Sequence, residues 1–145
     1  MPHQIHTVVV DRKILDGFKR RAMKHYPKEY AEQLWGAIKR RRAHIYVIEP
    51  FDLDSQTKGS VDFDFDQQCG TEHGEFMLLG SIHTHPAPYD GTEPSDADIV
   101  EAEREKEIVW GIMAIRKTAK RHFFGCRFWS NSGGEIELLF SEKKS

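Results

Sequence analysis

The residues that could do chemistry are concentrated between positions 83 and 98: His83-Thr84-His85-Pro86, then, after a short loop, Ser95-Asp96-Ala97-Asp98. Side chains two apart on an extended strand share a face, roughly 6.5 to 7 Å apart along the chain, so His83 and His85 can converge on one ion lying between them. Thr84 then points the other way. Imidazole and carboxylate are ligands that suit zinc, and three protein ligands with a water in the fourth position make a catalytic rather than a structural arrangement. Asp98 is the third ligand in this reading, with Asp96 and Asp90 as its nearby rivals. Ser95-x-x-Asp98 has a second meaning, because a Ser with an acid three places on is also the pattern of a helix N-terminal capping box. A helix start that faces the metal could serve both purposes.

Zinc held by two imidazoles and one carboxylate keeps a net positive charge and lowers the pKa of its bound water toward about 7. Hydrolysis of an amide also needs a base that takes the water proton and later passes a proton to the leaving amine. A glutamate that is not a ligand is the group this chemistry asks for. The local loop offers Glu93 and the early chain offers Glu29 and Glu32, and residue types alone do not choose among them. The hydroxyl of Ser95 is suited to stabilising the oxyanion that develops as water attacks the carbonyl.

These groups need a scaffold, and 145 residues at 39% hydrophobic suffice for one domain, residues 1–145, with a single substantial core. Ile5 to Val10 is rich in β-branched residues and ends at Asp11, a residue suited to capping a helix. Ile14, Leu15, Phe18, Ala22 and Met23 recur at helical spacing, so residues 11 to 25 read as an amphipathic helix that Pro27 ends. Residues 31 to 39 and 43 to 49 read as two strands joined through the basic turn Lys39-Arg40-Arg41-Arg42. The segment from Phe51 to Gly74 is polar, acidic and irregular, apart from the alternation Val61 to Phe65, which suggests a short strand. Phe76 to Ile82 is a buried strand that delivers His83 and His85 at its end, and Ser95 to Glu107 reads as a half-buried helix. Three strand-like runs follow, Ile108 to Ile115, His122 to Trp129 and Ile136 to Phe140, the first apolar on both faces and therefore central. The order β-α-β-β, β, α, β-β-β argues for an α/β fold: a mixed β-sheet flanked by helices.

Composition narrows the function classes. No run of about 18 apolar residues appears, and the start Met1-Pro2-His3-Gln4-Ile5-His6 is not a signal peptide, so a soluble, cytoplasmic protein is the expectation. Cys69 and Cys126 allow at most one bridge, which suits a reducing compartment. A net charge of −2, with Lys and Arg spread along the chain, gives no general electrostatic reason to bind nucleic acid. The basic turn reads first as a solvated hairpin tip and second as a docking patch for an acidic partner. His3, His6, His25, His44, His73 and His122 lack a partner at ligand spacing, and Cys69 with His73 lies in a segment that gives no reason for thiol activation. Trp35, Trp110, Phe128 and Trp129 read as core or sheet-face residues.

Taken together, Ile82-His83-Thr84-His85-Pro86 and Glu93-Pro94-Ser95-Asp96-Ala97-Asp98 resemble the motif of the JAMM, or MPN-plus, zinc metalloproteases, and their compact prokaryotic members especially. Pro27-Lys28-Glu29, followed by Leu34 and Gly36, resembles the family's upstream Pro-x-Glu segment, so the resemblance covers the whole chain. It implies that His83, His85 and Asp98 bind one catalytic zinc, that Glu29 is general base and general acid, and that Ser95 assists at the oxyanion. It also implies a cytidine-deaminase-like α/β architecture. Two departures stand out. Glu32 stands where many members have a small residue, and the Pro86 to Pro94 loop is about two residues longer than usual, a lengthening that loop-closure entropy tolerates.

The implied activity is a zinc isopeptidase or peptidase that cuts the amide bond after the C-terminal glycine of a ubiquitin-like protein, in deconjugation or precursor processing. An extended Gly-Gly tail could bind by adding to a sheet edge. Two other readings compete: an enzyme that releases a small amino acid from a sulfur-carrier-protein adduct, and a catalytically silent scaffold of the same fold. The scaffold would be marked by lost ligands, and all three are present. No membrane or nucleic-acid partner is implied, and the oligomeric state is left open.

Overall fold

The computed structural model of the chain describes residues 5–51, 76–86, 91–117 and 121–141. Its elements are β1 (Thr7–Asp11), α1 (Arg12–Met23), β2 (Ala31–Lys39), β3 (Arg42–Pro50), β4 (Met77–Pro86), α2 (Asp96–Arg104), β5 (Val109–Lys117), β6 (His122–Ser130) and β7 (Glu135–Ser141). This is the order read from the sequence. The strand anticipated at Val61 to Phe65, the acidic segment after Phe51, and the Cys69 and His73 pair lie outside the described residues.

Local chemistry accounts for the element boundaries. The Asp11 carboxylate accepts the Lys13 N–H at 2.8 Å, which satisfies one of the open donors at the start of α1. Leu15, Phe18 and Ala22 form the buried stripe of that helix. The basic run turns between β2 and β3 with Lys39 paired to Arg42, as its position between two apolar segments suggested.

The sheet is mixed, but it is not an open layer between helices: it closes into a barrel in the order β1-β3-β2-β4-β5-β6-β7. Closure runs through β1, which pairs in parallel with β3 on one side and with β7 on the other, Val8 lying opposite both Ala43 and Leu138. Three consecutive valines announce a buried strand. They carry no information about which distant strands it joins, and that is why the sequence indicated a mixed sheet flanked by helices but not its closure. Closure also occupies strand edges, so among the described strands no full-length edge is left for an extended tail. The seam between β6 and β7 is short, consisting of Phe128 opposite Ile136 and Trp129 opposite Glu135. Beyond it the Lys19 ammonium lies over the Phe124 ring at 4.7 Å and Tyr26 meets His122 edge-on at 5.2 Å, so α1 and the turn after it flank the unpaired part of β6.

Alternation along β5 separates two apolar clusters. Val109, Met113 and Ile115 join Val8, Phe18, Leu34 and Ile82 on the α1 side, whereas Trp110 and Ile112 join Trp129 and the α2 residues Ile99 and Ala102. Burying each large apolar side chain contributes roughly 1.5–3 kcal/mol, so both helices are held by their faces rather than by helix propensity. Gly80 sets how β5 enters beside β4: a Cβ there would lie 1.8 Å from the Val109 carbonyl oxygen. That close approach leads into the parallel register in which His83 lies opposite Ile112 and His85 opposite Ala114. Among the described residues no helix is long and apolar enough to cross a membrane.

Candidate metal centre

Period-two alternation on β4 decides which way the histidines face. Ile82 and Thr84 are buried, Ile82 in the α1-side cluster, so His83 and His85 turn to the α2 side. There the His83 ring lies parallel to the Trp110 indole, with centroids 6.5 Å apart and planes 9° apart. Trp110 is itself fixed by its Nε1–H, which donates to the Ser130 carbonyl at 2.7 Å. The Gly91 carbonyl lies 3.0 Å from His85 Nδ1. A carbonyl can only accept, so Nδ1 carries the proton and the neutral ring presents the Nε2 lone pair to the site.

The first turn of α2 completes the cluster. His83 Nε2 and His85 Nε2 are 3.2 Å apart, Asp98 Oδ1 is 3.4 Å from His83 Nε2, and Asp98 Oδ2 is 3.2 Å from His85 Nε2. A tetrahedral zinc with bonds of 2.0–2.1 Å has ligand-to-ligand edges of about 3.3 Å, close to the spacing of the two imidazole nitrogens and of each nitrogen from the Asp98 oxygen that faces it. The charge balance agrees. Burial works against ionising Asp98, yet hydrogen bonds from His83, His85 and the Ser95 N–H hold its carboxyl well below the usual carboxylate range. Burial likewise works against charging His85, and its bonds to Asp98 and Gly91 outweigh that and raise its pKa. The cluster favours a positive charge among these three side chains.

Both meanings of Ser95-x-x-Asp98 hold at once. Ser95 Oγ accepts the Asp98 N–H at 3.1 Å and Asp98 Oδ2 accepts the Ser95 N–H at 2.9 Å, a complete capping box. The carboxylate that closes the cap is the one that faces the imidazoles. Of the rivals, Asp96 is exposed on the first turn of α2 and Asp90 lies outside the described residues.

Glu29 and Glu32, alike in sequence, differ in space. Glu29 is exposed and brings a carboxylate oxygen to within 4.8 Å of ligand nitrogens of His83 and His85, so these three residues also form a group that could hold a metal ion. Glu32 is fully buried, and its two oxygens accept from Arg21 Nε and Nη2 at 2.8 Å each, while the Tyr30 hydroxyl donates to Oε2. Glu93 is exposed in the loop before Ser95. The residue after Glu29 is tied to the residue between the histidines, because the Tyr30 N–H donates to Thr84 Oγ1 and the Thr84 N–H donates to the Tyr30 carbonyl, both at 2.9 Å. The Tyr30 ring lies parallel to His25, with centroids 4.3 Å apart. Sequence reading turned Thr84 away from the ion but assigned no role to it, or to Tyr30, Arg21 or Gly91. The one available signal was the hydroxyl residue between the two histidines.

A family model described as prokaryotic homologs of the JAB domain matches residues 11–132. The crystal structure of a JAB1/MPN domain protein from Archaeoglobus fulgidus is similar over 92% of this chain and 98% of that one, with a TM-score of 0.61 and 16% sequence identity. The solution structure of a protein from Desulfitobacterium hafniense is similar over 94% of each chain, with a TM-score of 0.58 and 17% identity. No match was found among the curated proteins. At such identities the structural likeness carries the fold, here the JAB1/MPN fold with its mixed sheet and two helices. The chain belongs to the family of prokaryotic JAB-domain proteins. That family includes metal-dependent isopeptidases, which commonly act on ubiquitin-like substrates, as well as inactive members.

Proposed function

We propose that residues 1–145 act as one zinc metalloprotease domain of cytidine-deaminase-like architecture, in the cytoplasm, which hydrolyses the amide bond after the C-terminal glycine of a ubiquitin-like protein. The observation that carries this reading is the cluster in which His83 Nε2 and His85 Nε2 lie 3.2 Å apart and each faces one Asp98 oxygen, at 3.4 and 3.2 Å, with the Glu29 carboxylate beside them. His83, His85 and Asp98 would hold the zinc. When bound there, it supplies Lewis acidity that lowers the pKa of a bound water and polarises the carbonyl under attack.

The chain's own groups do the rest. Glu29, exposed and with a carboxylate oxygen within 4.8 Å of ligand nitrogens of His83 and His85, takes a proton from the attacking water and delivers it to the amine nitrogen as the C–N bond breaks. The products are a glycine carboxylate and a free amine. Ser95 uses its oxygen as the cap acceptor for the Asp98 N–H, and its hydroxyl proton serves as the donor to the oxyanion. The retained ligand set speaks against the silent scaffold.

Metal analysis of the purified protein is expected to find about one zinc per chain. A linear fusion and an isopeptide conjugate of a ubiquitin-like protein ending in Gly-Gly are expected to be cleaved, with activity lost to a chelator and restored by zinc. Hydrolysis that survives metal removal would overturn the proposal. Cleavage confined to a small amino acid adduct of a sulfur-carrier protein would select the alternative substrate class.

A further inference from the structure

β2 begins with Ala31 opposite His83 and ends at Lys39, so eight strand steps, about 26 Å, separate the metal centre from the β2–β3 hairpin tip. At that tip Lys39, Arg40, Arg41 and Arg42, with His6 and His44, line an open cleft of about 670 Å³. Two features coincide there. Four consecutive cations meet there, and among the described residues none of them has a carboxylate partner. In addition, Arg40 sits at φ 60°, in the left-handed region, at the first turn position of a two-residue hairpin, where glycine fits without strain. Crowded like charges and a left-handed arginine both raise the free energy of the fold, and among the described residues no carboxylate offsets the charge. Local conflicts that persist in this way mark sites whose return lies outside the chain.

The tip is also ordered. The Arg41 carbonyl accepts the His6 N–H at 2.9 Å, Arg41 Nη1 lies 3.3 Å from His6 Nε2, and the Lys39 ammonium lies 5.8 Å from the Tyr46 ring centroid. Guanidinium forks match the oxygens of phosphoryl groups bidentately, and the cleft volume lies within the roughly 300–1,000 Å³ of small-molecule sites. A surface for single-stranded nucleic acid would be a longer basic groove with stacking platforms. Here the consecutive basic run is only the four residues of one hairpin tip, in a chain with net charge −2. We propose that this cleft binds a compact soluble anion carrying two or more phosphoryl groups, held by Lys39, Arg40, Arg41 and Arg42 with the imidazoles of His6 and His44 as further hydrogen-bonding groups. Burial, with Lys39 and Arg42 nearby, lowers the pKa of His44, in keeping with a strongly positive cleft.

Fructose 1,6-bisphosphate is a suitable probe, titrated into the metal-loaded protein by calorimetry and NMR at physiological ionic strength. Saturable one-to-one binding that shifts the His6 and His44 signals is the expected result. Arg40→Gly and Arg42→Gln should each weaken it about tenfold, the loss typical of one charge-assisted hydrogen bond. Arg40→Gly also separates binding from structure, because glycine relieves the left-handed strain: Tm should rise while binding falls, and the hydrolytic activity should not change. Absence of saturable binding, or equal binding by both variants, overturns the proposal. Tighter binding of a single-stranded oligonucleotide, growing with its length, overturns it in favour of a nucleic-acid surface.

Discussion

Thr84 and Tyr30 exchange two hydrogen bonds across 54 residues of sequence, the Tyr30 N–H to Thr84 Oγ1 and the Thr84 N–H to the Tyr30 carbonyl, both at 2.9 Å. One partner follows Glu29 and the other lies between His83 and His85. The pair therefore sets the distance between proposed base and metal ligands. Thr84→Val keeps the shape but leaves the Tyr30 N–H without its acceptor, at a cost of about 1–3 kcal/mol in stability. Zinc content should be unchanged, kcat should fall at least tenfold with KM nearly constant, and Thr84→Ser should restore it. Equal kcat in the Val and Ser variants would show that the tie is only structural.

Glu29→Gln removes a proton acceptor without removing bulk. The expected outcome is one retained zinc and a fall in hydrolysis of about 10²–10⁴-fold, the usual worth of a positioned acid or base. Substantial activity in this variant would sink the assignment.

Glu32→Gln tests the rival carboxylate and should act on stability. Glu32 is fully buried against Arg21, whose side chain is 36% exposed, so breaking the pair should cost about 3 kcal/mol, the lower end of the range for buried pairs. Urea unfolding measures that loss, and assays well below the shifted Tm should show nearly normal turnover. Loss of turnover without loss of stability would return Glu32 to the reaction.

Asp98→Ala should fail in two ways at once. Zinc affinity falls because one of three ligands is gone, and the start of α2 loses a reciprocal cap worth about 1 kcal/mol. Ser95→Ala breaks the cap but not the ligand set, so comparing zinc titration with thermal unfolding in the two variants separates the roles.

A pH dependence of stability follows from Glu107. Burial pushes its carboxyl up to about 7, against the opposing hydrogen bond from Ser81, with Glu101 and Glu105 adding to the rise. The folded state then binds the proton more tightly than the unfolded chain, whose ordinary value is 4.5. This contribution is full below pH 4.5 and is lost as pH rises through about 7, up to about 3 kcal/mol for such a shift. Glu107→Gln should flatten that decline and raise Tm at pH 8 relative to the parent chain. An unchanged slope would mean that Glu107 ionises without penalty.

How much of this could be read from the sequence depended on how local each cause is. The strand carrying His83 and His85, the cap at Asp11 and the helix starting after Ser95 follow from period and residue type within a few positions. Asp98 lies beside both imidazoles, and the capping box and the bond between His85 and Gly91 tie down the described residues near it. Closure of the sheet was not legible, since the valines of β1 cannot specify β3 and β7 as neighbours. Nor was the separation of Glu29 from Glu32. It depends on Arg21, whose charge looked like one of many on a wet helix face, and on the Tyr30 hydroxyl.

The shared oxygen of Asp98 makes the metal centre and the start of α2 thermodynamically reciprocal. Whatever stabilises that carboxylate against the imidazoles must protect the first turn of the helix from fraying, by the same free energy with which fraying weakens ion binding. Amide exchange at Ile99 and Ala102 can therefore report on the occupancy of a site to which neither residue supplies a ligand.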